Sequence, residues 1–308
     1  MKTFKGRTAV ITGAASGFGL ETCRIAAREG MNIVMADVQA DALERAAAEV
    51  RANLASGAEV LPYRLDVSQA HEVEALGEAT LERFGAPHFV FNNAGVAIGG
   101  LIWEHSAQDW AWVIGVNVMG VAHGVRVFTP MMLAAAKADA AYEGHIVNTA
   151  SMAGLVNPPN MGAYNVSKHA VVSLSETLYQ DLALVTEQIS ASALCPFFVP
   201  TGIGASQRNR PDGSGSGSGS GQATASQRAA QAMIGKAVES GKVSAAAVAV
   251  LVFDALRAKR FYIYSHPKAL ASVQTRLEDV LQARNPSDPF AAKPEIGQAL
   301  RAALRAEG

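Results

Sequence analysis

Cysteine is scarce in this chain of 308 residues. The two present, Cys23 and Cys195, stand far apart and in no metal-ligand spacing. That argues against a disulfide framework and against a cysteine-held metal, and we expect no metal site. Net charge is nearly absent too. The 26 Lys and Arg offset 27 Asp and Glu, leaving a formal charge of −1. Without a basic surplus, neither nucleic acid nor a membrane surface is expected as a partner. Long hydrophobic runs are missing: none reaches the roughly 18 residues of a spanning helix. No secretory signal pattern opens the chain, and residues 1–8 lead straight into a strand-like segment. The expected compartment is therefore the cytoplasm. Internal repeats are also lacking.

What is present is apolar material, 49% of the residues against 17% charged. That is enough to bury a large core, in one large α/β domain or two small ones. Residues 8–12, 32–36, 60–65, 88–92, 144–149 and 190–194 read as buried strands. Residues 20–28, 40–54, 69–84, 110–136 and 164–185 read as helices, and a seventh strand is expected at 261–264. Continuous apolar strands separated by helices predict a parallel sheet covered on both faces.

One segment breaks the pattern. Residues 213–221 alternate strictly between Gly and Ser, the composition of a flexible linker. We read this run as a designed replacement for a natural loop, and it carries no functional argument. Finding the same run in the native coding sequence would refute that reading.

Chemistry concentrates in a few motifs. Tyr164 and Lys168 are four residues apart, on one face of a helix. Tyrosine ionises near pH ~10, and a neighbouring ammonium favours the phenolate and lowers that value. Such a phenol can give or take a proton. Ser151 lies thirteen residues upstream, a hydroxyl able to hold the oxygen that is being protonated. The spacing alone also fits an amphipathic helix with a half-buried tyrosine. Tyr264 and Lys268 repeat it, but with Pro267 between them and Leu251 in place of the serine.

A second motif, Thr12-Gly-Ala-Ala-Ser-Gly-Phe-Gly19, sits between the first strand and the first helix. Glycines there let backbone approach a pyrophosphate, and a helix N-terminus favours negative charge. The same glycines could serve tight packing alone. Asp37 ends the second strand, eighteen residues after Gly19. That is close to the ~20 expected of a ribose-binding carboxylate. Its charge opposes a 2′-phosphate, and no Lys or Arg stands in the glycine loop or just after Asp37. NAD is therefore expected over NADP. Asp66 ends the third strand, and Asn92-Asn93-Ala94-Gly95 ends the fourth. Ligands of open parallel sheets bind at such carboxyl ends.

In combination, these residues resemble the short-chain dehydrogenase/reductase family in its single-domain form, over roughly residues 5–202. The resemblance implies a Rossmann-type doubly wound parallel sheet of about seven strands. It also implies a cofactor site built from Gly13, Ser16, Gly17, Phe18, Gly19, Asp37, Asp66, Val67, Asn93, Ala94, Gly95, Tyr164, Lys168, Pro196 and Thr201. Asn117, Ser151, Tyr164 and Lys168 resemble the family's catalytic tetrad. Tyr164 would then be the general acid/base and Ser151 would hold the substrate oxygen. Lys168 would bind the cofactor ribose and lower the phenol's pKa, and Asn117 would hold a water. Where the family usually has Pro-Gly, this chain has Pro196-Phe197, so that loop is expected to take a different path.

The substrate pocket is expected to be apolar, with Ser151, Met152, Leu155, Met161, Phe197 and Phe198 facing the cofactor. Val156 belongs with them, and Val96 and Ile98 stand opposite. This suits a hydrophobic secondary alcohol or ketone, aryl ones included; residues 261–267 loosely resemble a subgroup that includes bacterial aryl-alcohol dehydrogenases. A steroid or dihydrodiol dehydrogenase on the same machinery, and a non-catalytic NAD sensor, are the alternatives. The expected organisation is one domain over 1–308, a substrate loop at 205–221 and a C-terminal extension at 257–308. By analogy with the family, a homodimer or homotetramer is expected.

Overall fold

The computed structural model describes residues 1–211 and 223–305. The Gly-Ser run at 213–221, and with it most of the expected substrate loop, lies outside the described residues. A seven-stranded parallel sheet forms the centre, in the order β3-β2-β1-β4-β5-β6-β7. Its strands are β1 (Thr8–Thr12), β2 (Asn32–Asp37), β3 (Val60–Arg64), β4 (Phe89–Asn92), β5 (Gly144–Thr149), β6 (Ile189–Cys195) and β7 (Tyr262–Tyr264). The helices of its first half are α1 (Gly17–Arg28), α2 (Ala40–Ala52) and α3 (Ala70–Phe84). Those of the second are α4 (Ala107–Ile114), α5 (Gly120–Ala138), α6 (Gly162–Val185), α7 (Ala225–Glu239), α8 (Ala245–Ala258), α9 (Leu270–Leu281) and α10 (Pro294–Arg305).

Strand alternation divides the core into two layers, because successive side chains point to opposite faces. Ile11, Ile33, Met35 and Phe91 pack on one face with Cys23 of α1, Leu43 of α2 and Phe253 of α8. Val10, Val34, Val90 and Ile146 pack on the other, against Leu76 of α3, Phe128 of α5 and Leu182 of α6. The central strands β1, β2 and β4 are largely apolar because both faces are covered. The order reverses between β1 and β4, which opens a crevice at the carboxyl edge of the sheet.

Most expected elements form within a few residues of their expected ends. The helix expected at 110–136 is instead broken. A π-helical stretch, Gly115–Met119, joins α4 to α5. Asn117 lies in it, with its amide bonded to both backbone groups of Val96. The whole stretch Ala107–Ala138 is long and apolar enough to cross a membrane by length and composition. Here Val127, Phe128, Met132 and Ala136 are spent on the second core layer. Residue 257 lies inside α8, and β7 completes the sheet by pairing with β6.

Candidate active site

The crevice is a single large cavity of about 2260 Å³. One end is built from backbone. Gly13 has φ +65° and a Cβ there would meet Ala94 at 3.0 Å. Gly19 is forced by contact: a Cβ would stand 2.2 Å from the Gly13 carbonyl. Asn93 clamps this loop, its amide donating to the Thr12 carbonyl at 2.9 Å while Thr12 Oγ1 accepts the Asn93 backbone N–H at 2.9 Å. Asp37 turns one carboxylate oxygen to the Ala15 N–H and the other to the Gln39 N–H, each at 3.0 Å. Both bonds fix the orientation of the carboxyl group at the strand end. Asp66 caps its own turn by accepting the Ser68 N–H at 2.9 Å.

The other end holds the titratable groups. Ser151 follows β5, where its Oγ accepts the Ala153 N–H at 3.1 Å. Tyr164 and Lys168 come from the first turns of α6. Lys168 is only 3% exposed and gives one hydrogen bond to the Thr149 carbonyl at 2.9 Å. Its Nζ sits 5.7 Å from the centre of the Tyr164 ring. Burial lowers the Lys168 pKa to about 8, so the group remains mainly charged at neutral pH. Burial raises the Tyr164 phenol above its ordinary range, while a hydrogen bond with Ser151 pulls it back down. Desolvation of the ring outweighs the Ser151 hydrogen bond, so the net shift runs upward, against the expected lowering. Cys195, beside Lys168, is pushed up to about 12 by burial and stays a packed thiol.

Nearly all the expected cofactor residues line the cavity, as do Ser151, Met152, Met161, Phe197 and Phe198. Three expectations are corrected in place. Leu155 turns away and packs on the core beneath α6 and β6, because its short helical turn presents Met152 to the cavity instead. Ile98 is buried with Trp112 and Val113 rather than facing the main cavity. Gly19 works by fitting under the glycine loop and does not line it. Asn117 also lies behind the wall. Its amide donates to the Val96 carbonyl and to Ser167 Oγ, both at 3.0 Å, and accepts the Val96 N–H at 2.8 Å. Phe197 avoids positive φ, and its N–H is held by Ser265 Oγ at the end of β7. Thr201 still reaches the glycine loop, since a Cβ on Gly17 would meet its methyl at 3.4 Å.

Sequence reading missed the remaining wall. Arg208 hydrogen-bonds Gln39 at 3.4 Å, bringing a cation to the turn after Asp37 from far along the chain. Residues of α7, α9 and α10, including Met233, Arg276 and Leu300, also line the cavity. No local motif marks them; only the tertiary path of the C-terminal residues puts them there.

Residues 7–212 match the family model for short chain dehydrogenase. The chain belongs to the short-chain dehydrogenase/reductase family. A short-chain dehydrogenase/reductase from Burkholderia phymatum, solved with NAD, shares 52% identity and a TM-score of 0.89, covering 94% of this chain and 100% of that one. The "CLA biosynthesis dehydrogenase/reductase" of Lactiplantibacillus plantarum is 32% identical, over 91% of this chain and 95% of its own. An alcohol dehydrogenase from the archaeon Thermococcus sibiricus, solved with 5-hydroxy-NADP, is 30% identical with a TM-score of 0.58, covering 65% and 80%. The cavity's own geometry suits a dinucleotide. The glycine loop leads into the N-terminus of α1, Asp37 presents a carboxylate at the second strand, and buried Lys168 keeps donors to spare.

Proposed function

We propose that this oxidoreductase interconverts a hydrophobic secondary alcohol and its ketone with NAD(H), using Tyr164 as general acid/base. The observation that carries the reading is convergence. Ser151, Tyr164 and Lys168 meet at one end of a cavity whose other end is the glycine loop and Asp37. Bound NAD would supply the hydride acceptor and donor. Gly13, Ser16 and Gly17 would receive its phosphates, and Asp37 and Lys168 its two riboses.

Ser151 orients the substrate oxygen by hydrogen bonding. Tyr164, bonded to Ser151, exchanges the proton with that same oxygen. The raised phenol is protonated at neutral pH, which suits donation to a carbonyl. In the reverse direction the phenolate must form first, and the Lys168 charge, 5.7 Å from the ring centre, would favour it. Met152, Met161 and Phe198 surround the reacting end with apolar surface, which excludes water and strengthens these bonds.

NAD is the finer part of the proposal. Asp37 opposes a 2′-phosphate, whereas Arg208 nearby would attract one, and the carboxylate is the better fixed of the two. A homodimer or homotetramer also belongs to the proposal, through exposed Val166 and Tyr179 of α6; sedimentation tests it. The decisive assay supplies NAD and NADP in parallel with a panel of aryl and alkyl secondary alcohols. Reduced-cofactor absorbance with NAD is expected. No absorbance with any member would sink the proposal, and equal rates with NADP would sink its cofactor part.

A further inference from the structure

Beyond the reacting centre, the cavity joins an apolar lining to a surplus of positive charge. Met152, Met161, Met233, Ile234 and Leu300 supply the apolar surface. One face of α9 adds Ser272, Thr275, Arg276 and Asp279, at helical spacing. Its other face, with Leu270 and Val273, packs on the core under β6.

The charges on this wall fall into two sets. Some are neutralised locally. Asp279 pairs with Arg284 at 3.0 Å and accepts the Ser287 N–H at 2.9 Å. Asp288 pairs with Arg301 at 3.4 Å. The second set consists of Lys236, Lys242, Arg276, Lys293 and one carboxylate, Glu295. None of these side chains has an ion-pair or hydrogen-bond partner among the described residues. The three lysines and Glu295 are exposed, whereas Arg276 is half-buried. A half-buried guanidinium without a partner loses water without compensation. Its planar fork matches a carboxylate in two parallel hydrogen bonds.

We propose that the substrate is an apolar secondary alcohol or ketone that also bears a carboxylate, bound by Arg276 while Tyr164 serves the reacting oxygen. This rests on the dehydrogenase reading and names the substrate class of that same site. Arg276 is a specificity residue: it fixes the far end of the molecule and takes no part in proton or hydride transfer. The exposed lysines add long-range attraction, which salt screens.

The test uses secondary-hydroxy alkanoic acids of increasing chain length and their methyl esters, assayed with NAD on the full chain. Wild type should prefer acid over ester by on the order of tenfold or more in kcat/KM, the worth of a hydrogen bond to a charged group. Arg276→Gln should erase most of that preference through KM, and Arg276→Lys should restore part of it. Raised salt should weaken the acid and spare the ester. Equal use of acid and ester by wild type would overturn the proposal, leaving the dehydrogenase reading intact. So would equal loss on both in Arg276→Gln, which marks a structural role, or an acid preference that survives that variant. Absence of turnover with every member overturns the dehydrogenase reading itself, and this proposal with it.

Discussion

The two walls of the crevice are held by different forces. The cofactor wall is fixed by backbone: Asn93 grips the Thr12 carbonyl, Asp37 grips two backbone N–H groups, and Gly19 sits against Gly13. The substrate wall is fixed by side chains from distant segments. Asp109, capping α4 from its N3 position, forms a buried ion pair with Arg210, whose guanidinium also lies 5.0 Å over the Trp112 ring. Ser226 at the start of α7 accepts the Leu101 N–H at 2.9 Å and donates to Glu104 at 2.7 Å. Backbone grips tolerate little variation in geometry, and side-chain posts can be exchanged one at a time. The first wall therefore suits a constant ligand and the second a variable one.

The comparison predicts where each substitution is felt. Ser151→Ala should lower turnover by about two to four orders of magnitude, with unchanged cofactor affinity, because Ser151 touches the reacting oxygen and not the loop that Asn93 grips. Stopped-flow turnover beside a cofactor titration checks it; a parallel loss of affinity would mean the two ends are not separable. The pH profile should split by direction. Burial raises the Tyr164 phenol, so the donating form persists through neutral pH and reduction stays flat there. Oxidation needs the phenolate and should climb by roughly tenfold per pH unit below that pKa. Identical profiles in the two directions would deny Tyr164 the proton.

Asp109→Asn tests the substrate wall. Removing one partner of a buried pair costs about 3–5 kcal/mol, and Arg210 would be left facing Trp112 uncompensated. Thermal unfolding and substrate KM should both worsen, while NAD affinity holds. A loss of NAD affinity of similar size would join the two walls into one unit. Asp37→Asn tests the cofactor wall at its edge. It should weaken NAD by about tenfold, a hydrogen bond to a charged group, and improve NADP relative to it because Arg208 then faces less negative charge. Parallel steady-state assays with both cofactors read this ratio.

The same contrast explains what was legible from sequence. The fold and the cofactor wall were, because the first four strands each end in a short local motif and the central strands are largely apolar. The parallel sheet covered on both faces followed from alternation with helices. Asn117 was found by its resemblance but not its setting: its amide is held by Val96, which is distant in sequence. Leu155 was misplaced because an apolar residue beside a pocket and one beneath it read alike. The lowering of the Tyr164 pKa was misjudged because spacing reveals a neighbouring charge but not burial. Arg208, Arg210 and Arg276 left no local signal, since their partners or neighbours come from other segments.

The separation of the two ends is tested most directly by titrating NADH fluorescence and measuring alcohol oxidation on wild type and Tyr164→Phe side by side. The account predicts an unchanged Kd, with turnover lower by about two to four orders of magnitude, the loss of an acid/base group. Retained turnover, or a cofactor affinity that falls along with it, would contradict Tyr164 as the proton carrier at the end of an independently built dinucleotide site.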